Sequence, residues 1–432
     1  MFMASVKVGL IGFGTIGGGV AEILLGKADA IERTVGKRIE LVKICDRDTT
    51  TDRGVAVPPG VLTDQISDIF NNPEISVVIE LIGGIEPART FILKALEAGK
   101  DVVTANKALI ANCGAELFAK ARELGRTIGF EASVCGGVPV LASLQTSLLA
   151  NRIESIQAIC NGTCNFILSE MESKDADYQD AVKEAQRLGF AEADPTLDVN
   201  GSDATQKLAI LAQLAFGAKV DWKKIPRVGV DVVSAVDVKF ARELGRKIRL
   251  LATATRDEDG LALSVRPALV PKDSALGKVT NAFNAVQIVG DFVGPLFYQG
   301  WGAGRRPTAS AVCSDVIDAA LGRAKITFDS LRLWSDDRPG VEIKDPHKIM
   351  ERVYLRFVVE DRPGVMAEIS SKLGARKISI AQMMQASHPE SEGVSLIILT
   401  HAAPTVDLDA ALDDIRGASF ILGETTRLAV VD

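Results

Sequence analysis

Four carboxylates and one lysine sit in residues 189–211, GFAEADPTLDVNGSDATQKLAIL, a stretch that runs straight into an apolar helix. Ser202 is a good N-cap, and the DATQKLAILAQLAFG that follows is rich in helix formers and stops at Gly217. At about 100° per residue, Asp203, Lys207, Ile210, Leu211 and Leu214 share one stripe, while Ala204, Leu208, Ala212 and Ala215 cover most of the other side. Such a helix is expected to be buried nearly all round. That would put Lys207 inside protein, where a lysine is rarely found without a partner. Two readings follow: an i, i+4 Asp203/Lys207 pair that only stabilises a core helix, or a lysine that takes part in catalysis.

The histidines narrow the chemistry. His347, His388 and His401 all lie after residue 346, so an active site in the earlier residues must draw its acid and base from Lys, Asp, Glu, Tyr or Cys. Glu192 and Asp194, in AEADP just before Pro195, are expected in a loop. A carboxylate held in a water-poor loop could take the ammonium group of a zwitterionic amino acid. Asp194 and Asp198 also read as turn or capping residues.

Composition bounds the partners. A chain of 432 residues has room for two or three domains, and 47% hydrophobic with 24% charged residues suits a soluble globular protein. A net charge of −7 argues against nucleic acid or an anionic membrane as partner. The opening MFMASVKVGLIGFG enters a strand without a signal-peptide pattern, and no apolar run approaches the roughly 20 residues of a spanning helix. A cytoplasmic location is expected. Six scattered cysteines without a CxxC pair suggest neither a disulfide framework nor a zinc site; Cys160 and Cys164 read as small buried hydrophobes.

The elements that must position these residues begin with VKVGLIGFGTIGGGVAEILL, a short strand, a glycine turn and a helix. Gly12, Gly14 and Gly17 form GxGxxG between them, where backbone can approach a pyrophosphate. The next strand, RIELVKICD, ends in Asp46 and completes a βαβ unit, which points to dinucleotide binding. Asp46 would favour NAD by accepting from a ribose, and Arg47 would favour NADP by pairing with a 2′-phosphate. ISVVIELIG (75–83) reads as a buried strand, PARTFILKALEAGK as a helix, and DVVTANKALIA as a strand entering a loop, with Lys107 just past the strand's carboxyl end. RTIGFEASVCGGVPVL (126–141) reads as a strand broken at a glycine pair, where carbonyls could face a ligand or cation.

The fold class is therefore α/β. Residues 1–135 form a Rossmann-type domain completed by about 305–333, where a second glycine-rich loop feeds a helix from about Thr308. Residues 136–304 form a mixed α/β catalytic and oligomerisation domain. Residues 334–350, rich in charge and proline, are a linker, and 351–432 read β-α-β-β-α-β, a ferredoxin-like unit.

The motifs GFGTIGGGV, VVTANKALIA, GFEASVCGGVPV, CNGTCNFIL, GFAEADPTLDVNGSDATQKLAIL and GAGRRPTASAV run in order over roughly residues 6–321, and together they resemble the homoserine dehydrogenase family. The tail resembles an ACT domain, with a DRPG turn at Asp361–Gly364. The resemblance implies NAD(P)-dependent interconversion of L-homoserine and L-aspartate 4-semialdehyde, a step toward threonine and methionine. It implies that Gly12, Phe13, Gly14, Thr15, Ile16, Gly17, Asp46, Arg47, Gly302 and Gly304 hold the cofactor. Lys107 would lie near both nicotinamide and substrate, Glu192 would bind the substrate ammonium with Gly189 beside it, Asp203 would help hold the substrate, and Lys207 would transfer the proton. A monovalent cation, Na+ or K+, would sit on backbone carbonyls around Val134, Gly136 and Val138, with Glu131 nearby.

Cys135 departs from the family's usual glycine, and Phe166 and Phe190 replace frequent tyrosines. A homodimer or homotetramer is expected, with threonine as effector through the ACT domain. Deleting 351–432 should then leave catalysis and remove regulation. Hydride transfer to an aldehyde leaves an alkoxide that must be protonated. Burial of Lys207 favours its neutral form and Asp203 its charged form, so the residues leave open whether Lys207 carries the proton or only a charge. Two rival readings are a non-catalytic sensor of dinucleotide and amino acid, and a different amino-acid dehydrogenase.

Overall fold

A computed structural model describes residues 5–387 and 393–431; His388 lies outside them. They form two compact units, each drawn from three stretches of chain. The first takes the residues up to Glu154 with Ala204–Lys224 and Phe283–Val341, and the second takes Ser155–Asp203, Ile225–Ala282 and the chain from Glu342 onward.

The first unit is built on six parallel strands: β1 (Val6–Ile11), β2 (Ile39–Cys45), β3 (Leu62–Thr63), β4 (Ile75–Glu80), β5 (Asp101–Thr104) and β6 (Ile128–Gly129). Their order is β3-β2-β1-β4-β5-β6, the doubly wound arrangement in which ligands bind at the carboxyl ends near β1 and β4. The apolar runs make sense in such a sheet, because parallel strands are covered on both faces. Helix Arg305–Ala320 contributes Ala309, Val312 and Val316 to the same core as Val8 and Leu10 of β1 and Val20 and Leu24 of helix Thr15–Gly26.

Two sequence expectations shift here. DVVTANKALIA is a strand only to Thr104; Lys107 opens helix Lys107–Glu123, capped by the Asn106 side chain, which accepts from the Leu109 N–H at 3.1 Å. The cap turns the chain into a helix that buries Leu109, Ile110, Leu117 and Phe118, so the short apolar run is a helix face and not a strand. In 126–141 only Ile128–Gly129 is strand, followed by the tight turn Glu131–Ser133.

The second unit holds β7 (Ile153–Ile159), β8 (Arg246–Asp257) and β9 (Gly260–Pro271), with β7–β8 and β8–β9 antiparallel. Strands β10 (Phe283–Gly290) and β11 (Gly294–Trp301) make a hairpin that belongs to the first unit. Next come β12 (Met350–Glu351), β13 (Val353–Val359), β14 (Ile380–Ser387), β15 (Val394–Thr400), β16 (Ala403–Pro404) and β17 (Thr426–Val430). With helices Val365–Ala375 and Thr405–Arg416, strands β13, β14, β15 and β17 give the βαββαβ order, arranged β17-β13-β15-β14. The helices cover one face through Ile369, Leu373, Leu408, Leu412 and Ile415, which pack on Leu355, Phe357 and Ile398.

This C-terminal sheet does not stand alone within its unit. β17 pairs in parallel with β9 at Ala429↔Ala268 and Val430↔Leu269, so strands β7 to β9 and the βαββαβ sheet are continuous. A buried ion pair lies at the same junction: Arg356 Nε on β13 donates to Asp237 Oδ1 at 2.6 Å, and the Tyr354 hydroxyl donates to the same oxygen at 3.0 Å. Asp237 belongs to the capping box of helix Ala235–Glu243, with Ser234 as the N-cap.

Candidate active site

In the first unit the chain leaves β1 at Ile11 and turns through the glycines into helix Thr15–Gly26. Gly12 has φ +97°, and a Cβ there would meet the Leu81 backbone at 2.8 Å. A Cβ on Gly17 would meet the Gly12 carbonyl oxygen at 2.0 Å, while one on Gly14 would face open space. The loop is thus closed on its own backbone at two glycines and open at the third. No side chain caps the helix at Gly14, so its first-turn N–H groups are available to an anion.

Asp46, at the end of β2, already works on this loop. Its Oδ2 accepts from the Phe13 N–H at 2.5 Å and its Oδ1 from the Asp48 N–H at 2.9 Å, while Arg47 is exposed. Glu80 is a residue that sequence reasoning missed. Fully buried at the end of β4, it accepts from the Ile82 N–H at 2.8 Å and the Thr104 hydroxyl at 2.7 Å, tying the carboxyl ends of β4 and β5 together. The signal was an acid closing the apolar run ISVVIE.

The 131–138 turn is strained where the family's glycine is missing: Cys135 has φ +56° and Gly136 φ +44°. It lies against the second glycine loop, because the Gly137 N–H donates to the Trp301 carbonyl at 3.0 Å and a Cβ on Gly136 would meet the Gly302 oxygen at 2.5 Å. Gly304 has φ +117° and precedes helix Arg305–Ala320, which starts three residues earlier than expected. Val134 and Val138 are buried in the turn. Burial pushes the Glu131 carboxyl up to about 7, although the Ala142 and Leu141 N–H groups pull the other way. Asp315, which accepts from the Glu131 N–H at 2.8 Å, is pushed up by its own burial and by the Glu131 charge.

In the second unit the opening stretch acquires a centre that the sequence did not reveal. Asn161 donates from Nδ2 to Asp198 Oδ1 and to Asp203 Oδ2, both at 2.8 Å, and its Oδ1 caps helix Gly162–Lys174 by accepting from the Cys164 N–H. The CNGTCN motif contained this residue, but only the fold brings 161, 198 and 203 together. Asp203 is buried. Helix Ser202–Phe216 begins at Ser202 itself, after Gly201 at φ +80°. It is buried along most of its length, but Gln206 and Lys207 are only half-buried; the expected all-round burial fails at the lysine, where the stripe reaches the surface.

Glu192 is exposed, as is Asp194, so the 190–195 loop is not the water-poor pocket expected of it. Its short polar side chains are spent on local turns: Asp194 accepts from the Thr196 N–H and hydroxyl, and the hydroxyl bond holds its carboxyl low. Gly189, at φ +77°, ends helix Tyr178–Arg187 and turns Phe190 back onto Phe166, with ring centroids 4.7 Å apart. The rings persist where the hydroxyls are gone. Cys160 and Cys164 are buried and not joined in a disulfide, with Cys164 Sγ donating to the Asp198 carbonyl at 3.2 Å, and among the described residues no cluster of His, Cys, Asp and Glu could hold a metal ion.

A parallel β3-β2-β1-β4-β5-β6 sheet with an uncapped glycine-turn helix, joined in one chain to a βαββαβ module, is the architecture of a dinucleotide-binding protein carrying a small ferredoxin-like domain. Residues 12–131 match the family model described as homoserine dehydrogenase, NAD binding domain, residues 139–317 match that of homoserine dehydrogenase, and residues 353–419 match the ACT domain. The chain is 41% identical to a homoserine dehydrogenase of Pseudomonas aeruginosa, over 99% of both chains, and 38% identical to one of Bacillus subtilis, over 96% of this chain and 95% of that one. A crystal structure of a homoserine dehydrogenase from Thiobacillus denitrificans superposes with a TM-score of 0.90 at 40% identity, over 100% of this chain and 99% of that one. A hyperthermophilic archaeal homoserine dehydrogenase in complex with NADPH gives a TM-score of 0.63 at 29% identity, over 74% of this chain and 98% of its own. The chain belongs to the homoserine dehydrogenase family. It is an NAD(P)-dependent oxidoreductase acting on a CH–OH group, and the sensor reading is set aside.

Gly17→Ala is expected to raise the Kd for the nicotinamide cofactor by at least about tenfold, because the added methyl must displace the Gly12 carbonyl and with it the glycine turn between β1 and its helix, the kind of turn that a pyrophosphate approaches. Fluorescence titration of the reduced cofactor checks this; an unchanged Kd would mean that the loop tolerates the shift.

Proposed function

We propose that residues 189–211 carry the substrate in the interconversion of L-homoserine and L-aspartate 4-semialdehyde. The observation that carries this reading is the Asn161 bridge, which fixes the buried Asp203 carboxylate at the head of the helix one turn before Lys207. Glu192 supplies the anion for the substrate ammonium, with Gly189 setting the loop's direction, and Asp203 orients the substrate. The bound cofactor accepts or donates the hydride. Lys207 serves the reacting oxygen: a neutral amine takes the hydroxyl proton during oxidation, and an ammonium returns it during reduction. Lys107, at the N-terminal end of its helix past β5, helps to orient nicotinamide and substrate.

The glycine cradle of Gly12, Phe13, Gly14, Thr15, Ile16 and Gly17 fits a pyrophosphate, and Gly302 and Gly304 complete the cofactor site. Asp46 has both carboxylate oxygens engaged by backbone N–H groups while Arg47 is exposed, which favours NADP over NAD. The archaeal relative bound to NADPH is consistent with this preference. The turn bearing Val134, Gly136 and Val138 suits a monovalent cation, since a positive charge there would relieve the buried Glu131 carboxyl.

The ACT domain binds a small amino acid at the DRPG turn, beside a cavity of about 390 Å³ lined by Asp361, Arg362, Gly364 and Gln385. As the pathway's end product, threonine is the effector proposed, acting on a cytoplasmic homodimer or homotetramer. Millimolar threonine is expected to inhibit homoserine oxidation by the full chain, and Asp361→Ala to blunt the inhibition. A full chain indifferent to threonine would refute the effector assignment and leave the reaction untouched.

A further inference from the structure

The junction of β9 and β17 carries a second cavity, away from the DRPG turn. It measures about 520 Å³ and is lined by the 226–228 segment, β17, the Pro346–His347 turn and the start of helix Thr405–Arg416. Four arginines reach it: Arg227, Arg266, Arg416 and Arg427. In a protein of net charge −7 this concentration of guanidinium groups is uneven.

Two of the four are pre-set. Arg266 Nη1 donates to Glu351 Oε2 at 2.7 Å and Arg427 Nη2 to the same oxygen at 3.0 Å, so one carboxylate holds two forks in place; Arg427 also reaches Asp409. Their side chains are 15% and 17% exposed. The Nε atoms of both, and the neighbouring Thr425 Oγ1, are buried without a hydrogen-bond partner among the described residues. Asp409 and Glu424 line the cavity with the four guanidiniums and His347, while Glu351 bridges Arg266 and Arg427 from outside the lining. Fixed arginine forks with donors to spare are the arrangement that binds carboxylate or phosphate oxygens.

We propose that this cavity is a regulatory site for a small metabolite bearing at least two negative charges on carboxylate or phosphate groups. Its occupant would touch the segment that leads to the substrate residues. Val228 lines the cavity, and two residues on the Val230 N–H donates to the Val199 carbonyl at 2.8 Å. Gly229 is pressed so closely there that a Cβ would meet the Val199 oxygen at 2.3 Å. From Val199 the chain enters Asn200, whose side chain accepts from the Ser202 N–H, and then Asp203 in the grip of Asn161. The opposite wall, Thr426, accepts from Arg356 Nη2 at 2.7 Å, which ties the cavity to the buried Asp237 pair. An anion here is therefore held between the C-terminal strand and the backbone that leads to Asp203, two elements able to share one equilibrium.

The test uses the full chain with its cofactor site saturated, so that the probes cannot occupy the glycine loop. Inorganic pyrophosphate and citrate are titrated by calorimetry, and homoserine KM is measured with and without each. At least one probe is expected to bind and to shift KM by about threefold or more. Arg227→Ala with Arg416→Ala, two exposed positions outside the substrate machinery, should weaken binding by at least about tenfold and erase the KM shift while leaving basal kcat unchanged. Preference for pyrophosphate assigns a phosphorylated ligand, and preference for citrate a polycarboxylate. Failure of both probes to bind, binding that survives the double substitution, or binding that leaves KM unmoved overturns the proposal.

Discussion

Replacing Lys207 with alanine is expected to lower kcat for homoserine oxidation by on the order of 10²-fold or more, roughly 2.7 kcal/mol of transition-state stabilisation, with the fold intact. The fold should survive because Lys207 is only half-buried, whereas the packing of helix Ser202–Phe216 rests on the buried Leu208, Ile210, Leu211 and Leu214. Lys207→Arg separates the two chemical roles. Arginine keeps the positive charge but does not give up its proton in the working range. A proton-transferring Lys207 predicts that the arginine variant is nearly as slow as alanine and loses the acidic limb of its pH–rate profile for oxidation, the rise of kcat as the amine is deprotonated. A lysine that only polarises the oxygen predicts substantial recovery with the profile unchanged. An alanine variant with normal kcat would remove Lys207 from the chemistry altogether.

What the sequence made legible follows from distance along the chain. The glycine loop was readable because GxGxxG, its strand and its helix are contiguous, and Gly12 and Gly17 answer to a local backbone demand that the 2.0 Å approach at Gly17 makes concrete. The βαββαβ order was readable for the same reason: its periods switch within one uninterrupted stretch. The sequence puts Lys107 just past a strand entering a loop because the few apolar residues of ANKALIA fit a strand as well as a helix, and the deciding contact is the Asn106 side chain on Leu109 N–H. Asn161 was hidden because its role depends on 198 and 203 arriving beside it. Glu192 was expected in a dry loop because a functional carboxylate suggested one; the turn chemistry of Asp194, Pro195 and Thr196 keeps that loop at the surface. The arginine cavity was invisible because Arg227, Arg266, Arg416 and Arg427 are scattered across 200 positions of the chain.

Removing residues 351–432 is expected to yield little soluble, active protein, where the sequence suggested an unregulated enzyme. The cut strips Asp237, fully buried in the whole chain, of Arg356 and the Tyr354 hydroxyl and leaves it, among the described residues, the Ser234 N–H and hydroxyl. Losing one partner of a buried pair costs about 3–5 kcal/mol, a large part of the roughly 5–15 kcal/mol that holds a typical domain. The same cut takes β17 off β9 and uncovers Leu269 and Val270, now on an unpaired strand edge that invites association with other chains. The solved chain of the archaeal relative is matched over 98% of its length by 74% of this one, so that chain offers no counterpart for the remaining quarter. Dependence on the tail would instead reside in particular residues of this chain, and they can be changed. Arg356→Met in the full chain should lower the thermal midpoint by several degrees by orphaning Asp237. Asp237→Asn together with Arg356→Met should recover part of that loss, because the amide that remains is uncharged and can still accept from Ser234. Thermal midpoints of the three proteins, with sedimentation and kcat of the 1–350 chain, decide the matter. A soluble 1–350 chain with the kcat of the whole would show that the tail is detachable after all.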